Sequence, residues 1–374
     1  MENNTRQWLK QKLNIQIPNE PQLLQATDRS RIWRIEGPSG SFIVKQSLDD
    51  LHSPMPEREL FSRELASLAL LNALFVQDIP VPKLYASSIE HRLLVMEDVG
   101  DAAATEQLLF GQNQQAAIQV IEQLGHALGR IHAATKDRQH DFQSKRNAVY
   151  PTDANFNFDH MDAPWRLLLE AVNLKFDMTQ MLDELTIIKQ ALMEPGHFGG
   201  LIHGDPCPGN IILREGRIVL VDFEWAAYGH VSLDACFARM TFPTCWQARP
   251  IPEAVQRIFE SAYRQEIASV HPDVLDDAGF ARLLIPGMIF QFSGTLPRYV
   301  PVVIQNQSAP IELSIIRANF LARLRGLAQT LEEADEMPVI RKIVADLHRT
   351  LEAQWDIPKN ISFPAFSNNA FHTG

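Results

Sequence analysis

The chain has 374 residues, of which 45% are hydrophobic and 21% are charged, as in an ordinary soluble globular protein. This length is too great for one compact layer, so we expect two lobes and a sizeable core. The formal net charge of −11 argues against nucleic acid or an anionic membrane as the main partner.

The three cysteines, Cys207, Cys236 and Cys245, are odd in number and lack metal-ligand spacing. This usage indicates a reducing compartment without a disulfide framework. Residues 1–16 contain no apolar core of signal-peptide length. No segment approaches the roughly 20 unbroken apolar residues of a membrane helix. We therefore expect a cytoplasmic protein with no membrane partner.

The first 100 residues are predicted to be mainly strands. RIWRIE (31–36) and SFIVKQ (41–46) flank the turn sequence GPSG, which is typical of a hairpin. Residues 57–75 have Leu and Phe at helical spacing, and two prolines follow them. RLLVMEDVG (92–100) is predicted to be a buried strand that ends at a glycine.

Beyond residue 100 the pattern predicts helices. Residues 114–135 carry a regular apolar face, and a second helical stretch covers about 163–194. The stretch 136–162 between them is polar and is predicted to be irregular. Helices dominate again from about 252 to 355, and the tail after them is expected to be irregular.

The most informative stretch is LIHGDPCPGNIILREGRIVLVDFEWA (201–226). Its apolar segments predict a hairpin that brings Asp222 back toward a tight loop containing Asp205 and Asn210. Phosphoryl transfer needs a carboxylate beside the acceptor hydroxyl and side-chain oxygens that hold Mg²⁺ against the phosphates. An H-x-D-x-x-x-x-N loop before a strand that ends in Asp-Phe supplies these groups in that order. His203 is expected to support the loop by hydrogen bonding.

Lys45 and Glu64 are predicted to form an ion pair. Lys45 ends a strand, where it can reach the α- and β-phosphates of a nucleotide. Glu64 lies inside the apolar stripe of the helix 57–75, and an unpaired buried carboxylate is costly. Glu57 and Glu59 are rival partners, but helix capping accounts for their position near the helix start.

These motifs together resemble the aminoglycoside phosphotransferase and choline kinase family, whose members are protein-kinase-like small-molecule phosphotransferases. HGDPCPGN resembles the catalytic loop, VDFEWAAYGHVSLDACF the metal-binding segment, LGHALGRIHAAT the preceding helix and LLVMEDVG the hinge. The similarity covers about residues 25–245. It implies a two-lobed α+β fold, in which a small antiparallel-sheet nucleotide-binding lobe (1–100) precedes a larger, mainly helical catalytic and substrate-binding lobe (101–374).

The resemblance also implies roles for individual residues. Asp205 becomes the catalytic base and Asn210 and Asp222 the Mg²⁺ ligands, while Asp234 buttresses the loop. The implied nucleotide site, for ATP or alternatively GTP, consists of Lys45, Glu64, Ser30, Met96, Glu97 and Val99. Within it, the Glu97 carbonyl and the Val99 amide would contact the adenine, with Met96 behind it.

The chain departs from the family pattern at three places. The phosphate-covering loop near residues 26–37 lacks glycine until Gly37, so Ser30 and nearby backbone amides would do its work. Cys207 stands where the family often has histidine. DFE replaces DFG, and neither HRD nor APE occurs in the chain, which favours a small-molecule kinase over a protein kinase.

The acceptor is expected to be a small hydroxylated molecule, such as an aminoglycoside, choline, a sugar or an amino alcohol. Residues 150–184 combine seven carboxylates with Tyr150, Phe156, Phe158 and Trp165, a mixture that suits a cationic acceptor. A solvated helix face with core aromatics explains the same composition equally well. A nucleotide-binding pseudokinase and a protein kinase remain alternatives, and the sequence does not encode the oligomeric state.

Overall fold

The fold was analysed in a computed structural model. The structure describes residues 1, 3–13, 20–37, 40–49, 55–75, 77–78, 80–100, 102–152, 158, 161–245, 247–309, 311–358 and 361–367. The centre of the predicted GPSG turn (38–39) lies outside the described residues. Asp153, Phe156 and Asp159 of the proposed acceptor region also lie outside them.

The described residues of the N-terminal part form two helices and one sheet. Its elements are α1 (Asn3–Leu13), β1 (Gln22–Ala26), β2 (Ser30–Gly37), β3 (Gly40–Ser47), α2 (Glu57–Leu74), β4 (Leu84–Ser88) and β5 (Leu93–Glu97). The strand order is β1-β2-β3-β5-β4, and every neighbouring pair is antiparallel. Side chains alternate between the faces of a strand. Val44 therefore packs with Trp33 and Val95 in a small core, and Lys45 points to the opposite face.

The C-terminal part is mainly helical. Its helices are α3 (Ala102–Phe110), α4 (Gln114–Thr135), α5 (Gln139–Asn147), α6 (Asp162–Ala171), α7 (Met178–Met193), α8 (Ser232–Ala235), α9 (Glu253–Ile267), α10 (Asp277–Val303), α11 (Leu313–Ala334) and α12 (Pro338–Gln354). Four short strands form two antiparallel pairs, β6 (Gly199–Ile202) with β9 (Ala227–His230), and β7 (Ile211–Arg214) with β8 (Arg217–Leu220).

Helix α4 packs closely against α9, because α4 carries glycines at the contact. A Cβ atom on Gly125 would lie 2.4 Å from the carbonyl oxygen of Phe259, and one on Gly129 would lie 2.7 Å from that of Tyr263. Side chains at these positions would push the helices apart. This close packing holds the end of α4, with His132, beside the strand that leads to the catalytic loop.

The predicted α+β fold is confirmed, with a small antiparallel sheet followed by a mainly helical part. One prediction about local structure was wrong, because residues 136–162, predicted to be irregular, contain the helix α5. The helical stretch predicted at about 163–194 is confirmed and consists of two helices, α6 and α7. The lobe boundary at residues 100 and 101 stays a prediction. Within the described part of the chain, no helix has the length and apolar character needed to cross a membrane.

Candidate active site

The candidate catalytic segment, residues 203–226, is a long loop whose two ends are joined by paired strands. Strand β6 leads into residue 203, and β9 begins at residue 227, with Ile202 opposite Ala227. Inside this loop, β7 and β8 form the predicted hairpin. Its turn residues Glu215 and Gly216 both have positive φ, 52° and 79°, as the tight hairpin turn requires. The hairpin brings the segment after β8 back to the loop that carries Asp205.

The carboxylate of Asp205 is held by two neighbours. Asn210 donates its amide Nδ2 to the Asp205 carbonyl at 2.8 Å and to Oδ2 at 3.3 Å. Thr244 donates its hydroxyl to Oδ1 at 2.5 Å. Because Asn210 donates through nitrogen in both bonds, these bonds do not use its amide oxygen. Thr244, which lies 39 residues further along the chain, could not be predicted from the sequence.

Asp234 supports the start of the catalytic loop, as the resemblance implies. Its fully buried carboxylate accepts hydrogen bonds from the backbone N–H of His203 at 2.6 Å and of Gly204 at 3.0 Å. His132 Nε2 lies 3.3 Å from the same carboxylate. The ring of His203 bonds through Nε2 to the Val221 carbonyl at 3.0 Å. These contacts join the catalytic loop to the strand end that carries Asp222.

Lys45, Glu64 and Asp222 meet in one charged cluster. The ammonium of Lys45 lies 2.7 Å from Glu64 Oε2, and it also contacts the carboxylate of Asp222. Asp222 has left-handed backbone angles (φ 67°, ψ 61°), which are uncommon for a residue other than glycine. The Asp222 side chain is 37% exposed, whereas that of Glu64 is only 2% exposed. Part of the Asp222 carboxylate therefore remains accessible to solvent.

Burial and pairing shift the pKa values of this cluster. Burial alone would lower the pKa of Lys45, but the charges of Asp222 and Glu64 outweigh it and raise this pKa. Burial raises the pKa of Glu64 to about 7, although Lys45 opposes the shift. Burial would raise the pKa of Asp222, but the charge and hydrogen bond of Lys45, together with neighbouring positive charges, lower it. Lys45 is therefore a permanent cation, and Asp222 is a permanent anion at neutral pH.

Glu224 and Arg29 join the same cluster, although the sequence interpretation gave neither a role. Arg29 Nη2 lies 2.9 Å from Glu224 Oε1, and Lys45 Nζ lies 4.0 Å from Glu224 Oε2. Burial, followed by the charge of Asp222, raises the pKa of Glu224. In the sequence, the replacement of DFG by DFE was the feature that could have indicated a role for Glu224.

Ser30 lies in the turn beside Arg29. Its backbone N–H donates to the hydroxyl of Thr27 at 2.9 Å, so this amide is already used within the turn. The side chain that extends from this turn to the charged cluster is that of Arg29. A role for Ser30 at the phosphates stays a prediction.

The hinge residues lie where β5 ends. Met96 packs into the main core, whereas Val99 forms a separate apolar cluster with Ile212 and Val219 of the β7–β8 hairpin. The side chain of Glu97 pairs with Arg214 at 2.8 Å. The hinge and the hairpin are therefore joined by a small cluster of buried apolar side chains.

A cavity of about 600 Å³ is also lined by Glu97 and Val99, together with Lys83, Arg130 and Arg217. None of Lys45, Asp205 and Asp222 lines it. Arg217 is paired with Asp78, and Arg130 donates to the Asp78 carbonyl at 2.7 Å. Since the charged cluster lies elsewhere, we do not assign the phosphates of the nucleotide to this cavity.

Four residues of the proposed cationic acceptor region have structural roles. Glu184 accepts hydrogen bonds from the first backbone N–H groups of α12, at 2.9 and 2.8 Å. Asp177 caps α7, and Asp162 lies 3.2 Å from Lys189. Trp165 is fully buried and donates to Ser293 at 2.7 Å. Structural roles therefore account for these four side chains.

The oxygen donors near Asp205 suit Mg²⁺. Among the described residues, no three His, Cys, Asp or Glu side chains are grouped as a metal site. Mg²⁺ does not require such a group, because it usually takes one or two protein ligands and completes its octahedron with phosphate oxygens and water. The Asn210 amide oxygen and the partly open Asp222 carboxylate are hard donors of this kind, so the residues fit the ion.

Comparison with known proteins identifies the family. The family model described as the phosphotransferase enzyme family matches residues 22–268. The chain belongs to this family. The family named from the sequence is thus confirmed, and this phosphotransferase acts on a hydroxyl group of a small molecule. Enzyme family membership argues against the pseudokinase and protein kinase alternatives.

Solved structures confirm the fold of this phosphotransferase. A putative aminoglycoside phosphotransferase from Ralstonia eutropha JMP134 superimposes with a TM-score of 0.53 at 16% identity, covering 88% of this chain and 97% of its own. The streptomycin–ATP–APH(2″)-IIa ternary complex gives a TM-score of 0.51 at 15% identity, covering 82% and 97%. No curated protein matches the chain.

Proposed function

We propose that this phosphotransferase moves the γ-phosphoryl group of ATP to a small-molecule hydroxyl, with Asp205 as the catalytic base and Mg²⁺ at Asn210 and Asp222. The observation that carries the proposal is the position of Lys45. Its ammonium contacts Asp222 in the catalytic segment and Glu64 in the N-terminal helix α2. A phosphate-binding cation and a metal-binding carboxylate are therefore neighbours, as phosphoryl transfer requires.

The proposed nucleotide site lies between residues 1–100, the nucleotide-binding lobe, and residues 101–374, the catalytic lobe. Lys45, oriented by Glu64, binds the α- and β-phosphates, and Ser30 lies in the turn above them. The adenine contacts the Glu97 carbonyl and the Val99 amide, with Met96 behind it. The apolar cluster of Val99, Ile212 and Val219 supports this placement of the base.

Asp205 is proposed to orient the acceptor hydroxyl and take its proton. A carboxylate oxygen has two lone pairs, so Oδ1 and Oδ2 can each accept one more hydrogen bond beside those of Thr244 and Asn210. Holding the hydroxyl in line with the phosphate removes much of the entropic cost of the reaction. A bound Mg²⁺ would neutralise the charge on the phosphate oxygens.

The acceptor is proposed to be a small alcohol. A narrower proposal is that this alcohol carries a positive charge. The support for that charge is that the carboxylates of Asp205 and Glu224 lie close enough for their charges to interact, together with the net charge of −11. Asp162 in α6 and Glu184 in α7 give no support, since both have structural partners.

Two variants test the assignment of roles. Asp205→Asn should lose turnover but keep Mg-nucleotide affinity, because this side chain faces the acceptor. Asp222→Ala should weaken nucleotide binding and its dependence on Mg²⁺. Titration calorimetry with ATP, and separately with GTP, across a Mg²⁺ series measures both effects. Asp183→Asn, an exposed helix carboxylate, is the matched control. Equal losses of nucleotide affinity in Asp205→Asn and Asp222→Ala would contradict the roles.

The acceptor class is tested by coupled ADP release over aminoglycosides, amino alcohols, sugars and hydroxy amino acids. The wild type should phosphorylate at least one small alcohol, and Asp205→Asn should phosphorylate none. Higher kcat/KM for neutral sugars or hydroxy acids than for every amine-bearing alcohol would refute the cationic form. Phosphorylation of proteins alone would refute the proposed function.

A further inference from the structure

The turn between β1 and β2 binds its own backbone amides. The hydroxyl oxygen of Thr27 accepts hydrogen bonds from the N–H groups of Arg29 at 3.2 Å and of Ser30 at 2.9 Å. The carbonyl of Arg29 accepts one from the N–H of Leu48 at 2.7 Å. Two amides that could otherwise contact phosphates are therefore used within the protein, and the backbone of Arg29 is held on both sides.

The side chain of Arg29 extends from this turn to the charged cluster. Its Nη2 lies 2.9 Å from Glu224 Oε1, and Lys45 Nζ lies 4.0 Å from Glu224 Oε2. One carboxylate thus lies between two cations. Lys45 also contacts Asp222, the proposed metal ligand. The guanidinium of Arg29 is therefore held beside the groups assigned to the phosphates and Mg²⁺.

The guanidinium of Arg29 has capacity for a second anion. A guanidinium carries five N–H donors, and the contact with Glu224 is made through Nη2. The Arg29 side chain is 38% exposed, whereas that of Glu224 is 10% exposed. Arginine matches the geometry of phosphate oxygens with two parallel N–H donors. The exposed part of this side chain therefore suits a phosphate group.

The charges of the cluster favour the same role. Glu64, Asp222 and Glu224 contribute three carboxylates, whereas Lys45 and Arg29 contribute two cations. Without Arg29, a polyphosphate would meet three carboxylates and a single ammonium group. Like charges repel each other, so a second cation lowers the free energy of a bound polyphosphate.

We propose that Arg29 binds phosphate oxygens of the nucleotide and takes the place of the backbone amides of a glycine-rich loop. Glu224 holds the guanidinium toward Lys45, and the N–H groups that Glu224 does not use donate to the phosphates. This role rests on the proposed function, because it requires a nucleotide bound beside Lys45. Arg29 should therefore contribute to the affinity for ATP and ADP but not to the affinity for adenosine.

Titration calorimetry of the full chain with Mg-ATP, Mg-ADP and adenosine tests this role without an acceptor. Arg29→Gln should bind ATP and ADP about tenfold to a hundredfold more weakly than wild type, because charge-assisted hydrogen bonds are lost. Its affinity for adenosine should equal that of wild type. Arg29→Lys keeps the charge but not the paired donors, so it should lose less affinity for ATP than Arg29→Gln.

Arg31→Gln is the matched control and should bind all three ligands like wild type. Arg31 is an exposed arginine of β2. Its neighbour Ile32 is the register partner of Lys45, so the Arg31 side chain lies on the opposite face of the sheet from Lys45.

Two results with Arg29→Gln would overturn the proposal. One is an ATP affinity equal to that of wild type. The other is an equal loss of affinity for adenosine, which would indicate a distorted site. Wild type that binds no nucleotide would instead refute the proposed function itself, and this role with it.

The double variant Arg29→Gln/Glu224→Gln separates phosphate binding from compensation of the Glu224 charge. A persistent loss of ATP affinity in the double variant is the expected result, because the phosphates still lack their donor. Recovery of wild-type ATP affinity would show that Arg29 acts only by neutralising Glu224, and would overturn the proposal.

Discussion

The cluster around Lys45 predicts an asymmetric double-mutant cycle. Lys45→Met keeps the length of the side chain but removes the cation, and Glu64→Gln removes one carboxylate. Lys45 contacts both Glu64 and Asp222, whereas Glu64 has Lys45 as its ion-pair partner. The loss of the lysine therefore leaves more buried charge uncompensated than the loss of the glutamate.

The expected magnitudes follow from this difference. Removing one partner of a buried ion pair costs about 3–5 kcal/mol in free energy of unfolding, and we assign this range to Lys45→Met. Glu64→Gln should cost about 1–2 kcal/mol, because Lys45 keeps Asp222 and the amide oxygen still accepts a hydrogen bond. Each single variant already loses the pair between Lys45 and Glu64. The stability loss of the double variant should therefore be about 1–3 kcal/mol smaller than the sum of the two single losses.

Urea unfolding followed by circular dichroism at pH 8 measures the cycle, since Glu64, with a pKa of about 7, is then ionised. Glu59→Gln is the matched control, because Glu59 pairs with Arg63 at 2.7 Å in the same helix. The loss in free energy of unfolding caused by Glu59→Gln should add to the loss caused by Lys45→Met. Additivity of Lys45→Met with Glu64→Gln within about 0.5 kcal/mol, or a larger loss in Glu64→Gln than in Lys45→Met, would refute the reasoning.

Three further predictions concern the support of the catalytic loop. Asp234→Ala should lower the free energy of unfolding by about 3 kcal/mol or more, because two buried backbone N–H groups lose their acceptor; urea unfolding measures this loss, and Asp234→Asn should recover part of it. Gly204→Ala should reduce both kcat and Tm, since φ is +83° and the added Cβ would lie 2.5 Å from the Trp225 carbonyl oxygen; unchanged steady-state rates would contradict this. Burial lowers the pKa of His230 to about 3. Below pH ~6.5 the unfolded chain therefore takes up a proton that the folded chain does not, and the free energy of unfolding falls as the pH falls toward 3. A pH series of Tm should show this fall in wild type and a flatter profile in His230→Gln.

Contacts that are local in sequence could be predicted from it. The helix at 114–135 and the β7–β8 hairpin follow from apolar spacing and turn residues, and the neighbourhood of Asp205 and Asn210 follows from a tight loop. Contacts between distant segments could not be predicted. Thr244 lies 39 residues after Asp205 and donates a hydrogen bond to it, and no pattern in the sequence indicates this contact.

The errors have similar causes. Helix α5 consists mainly of polar residues, so its sequence shows no helical spacing of apolar residues. Within this helix, Phe142 and Arg146 are buried. Glu184 has the composition of a surface carboxylate but accepts from the start of α12. Its role depends on a tertiary contact, which composition alone does not reveal.

The pairing of β6 with β9 has a consequence for motion. It closes residues 203–226 into a loop whose two ends are fastened side by side, so Asp205, Asn210 and Asp222 belong to one tethered unit. Lys45 reaches this unit from another sheet. If the two lobes separate to exchange nucleotide, the contact of Lys45 with Asp222 breaks, while the spacing within the tethered loop persists. Product can then leave without disassembly of the groups that perform the next turnover.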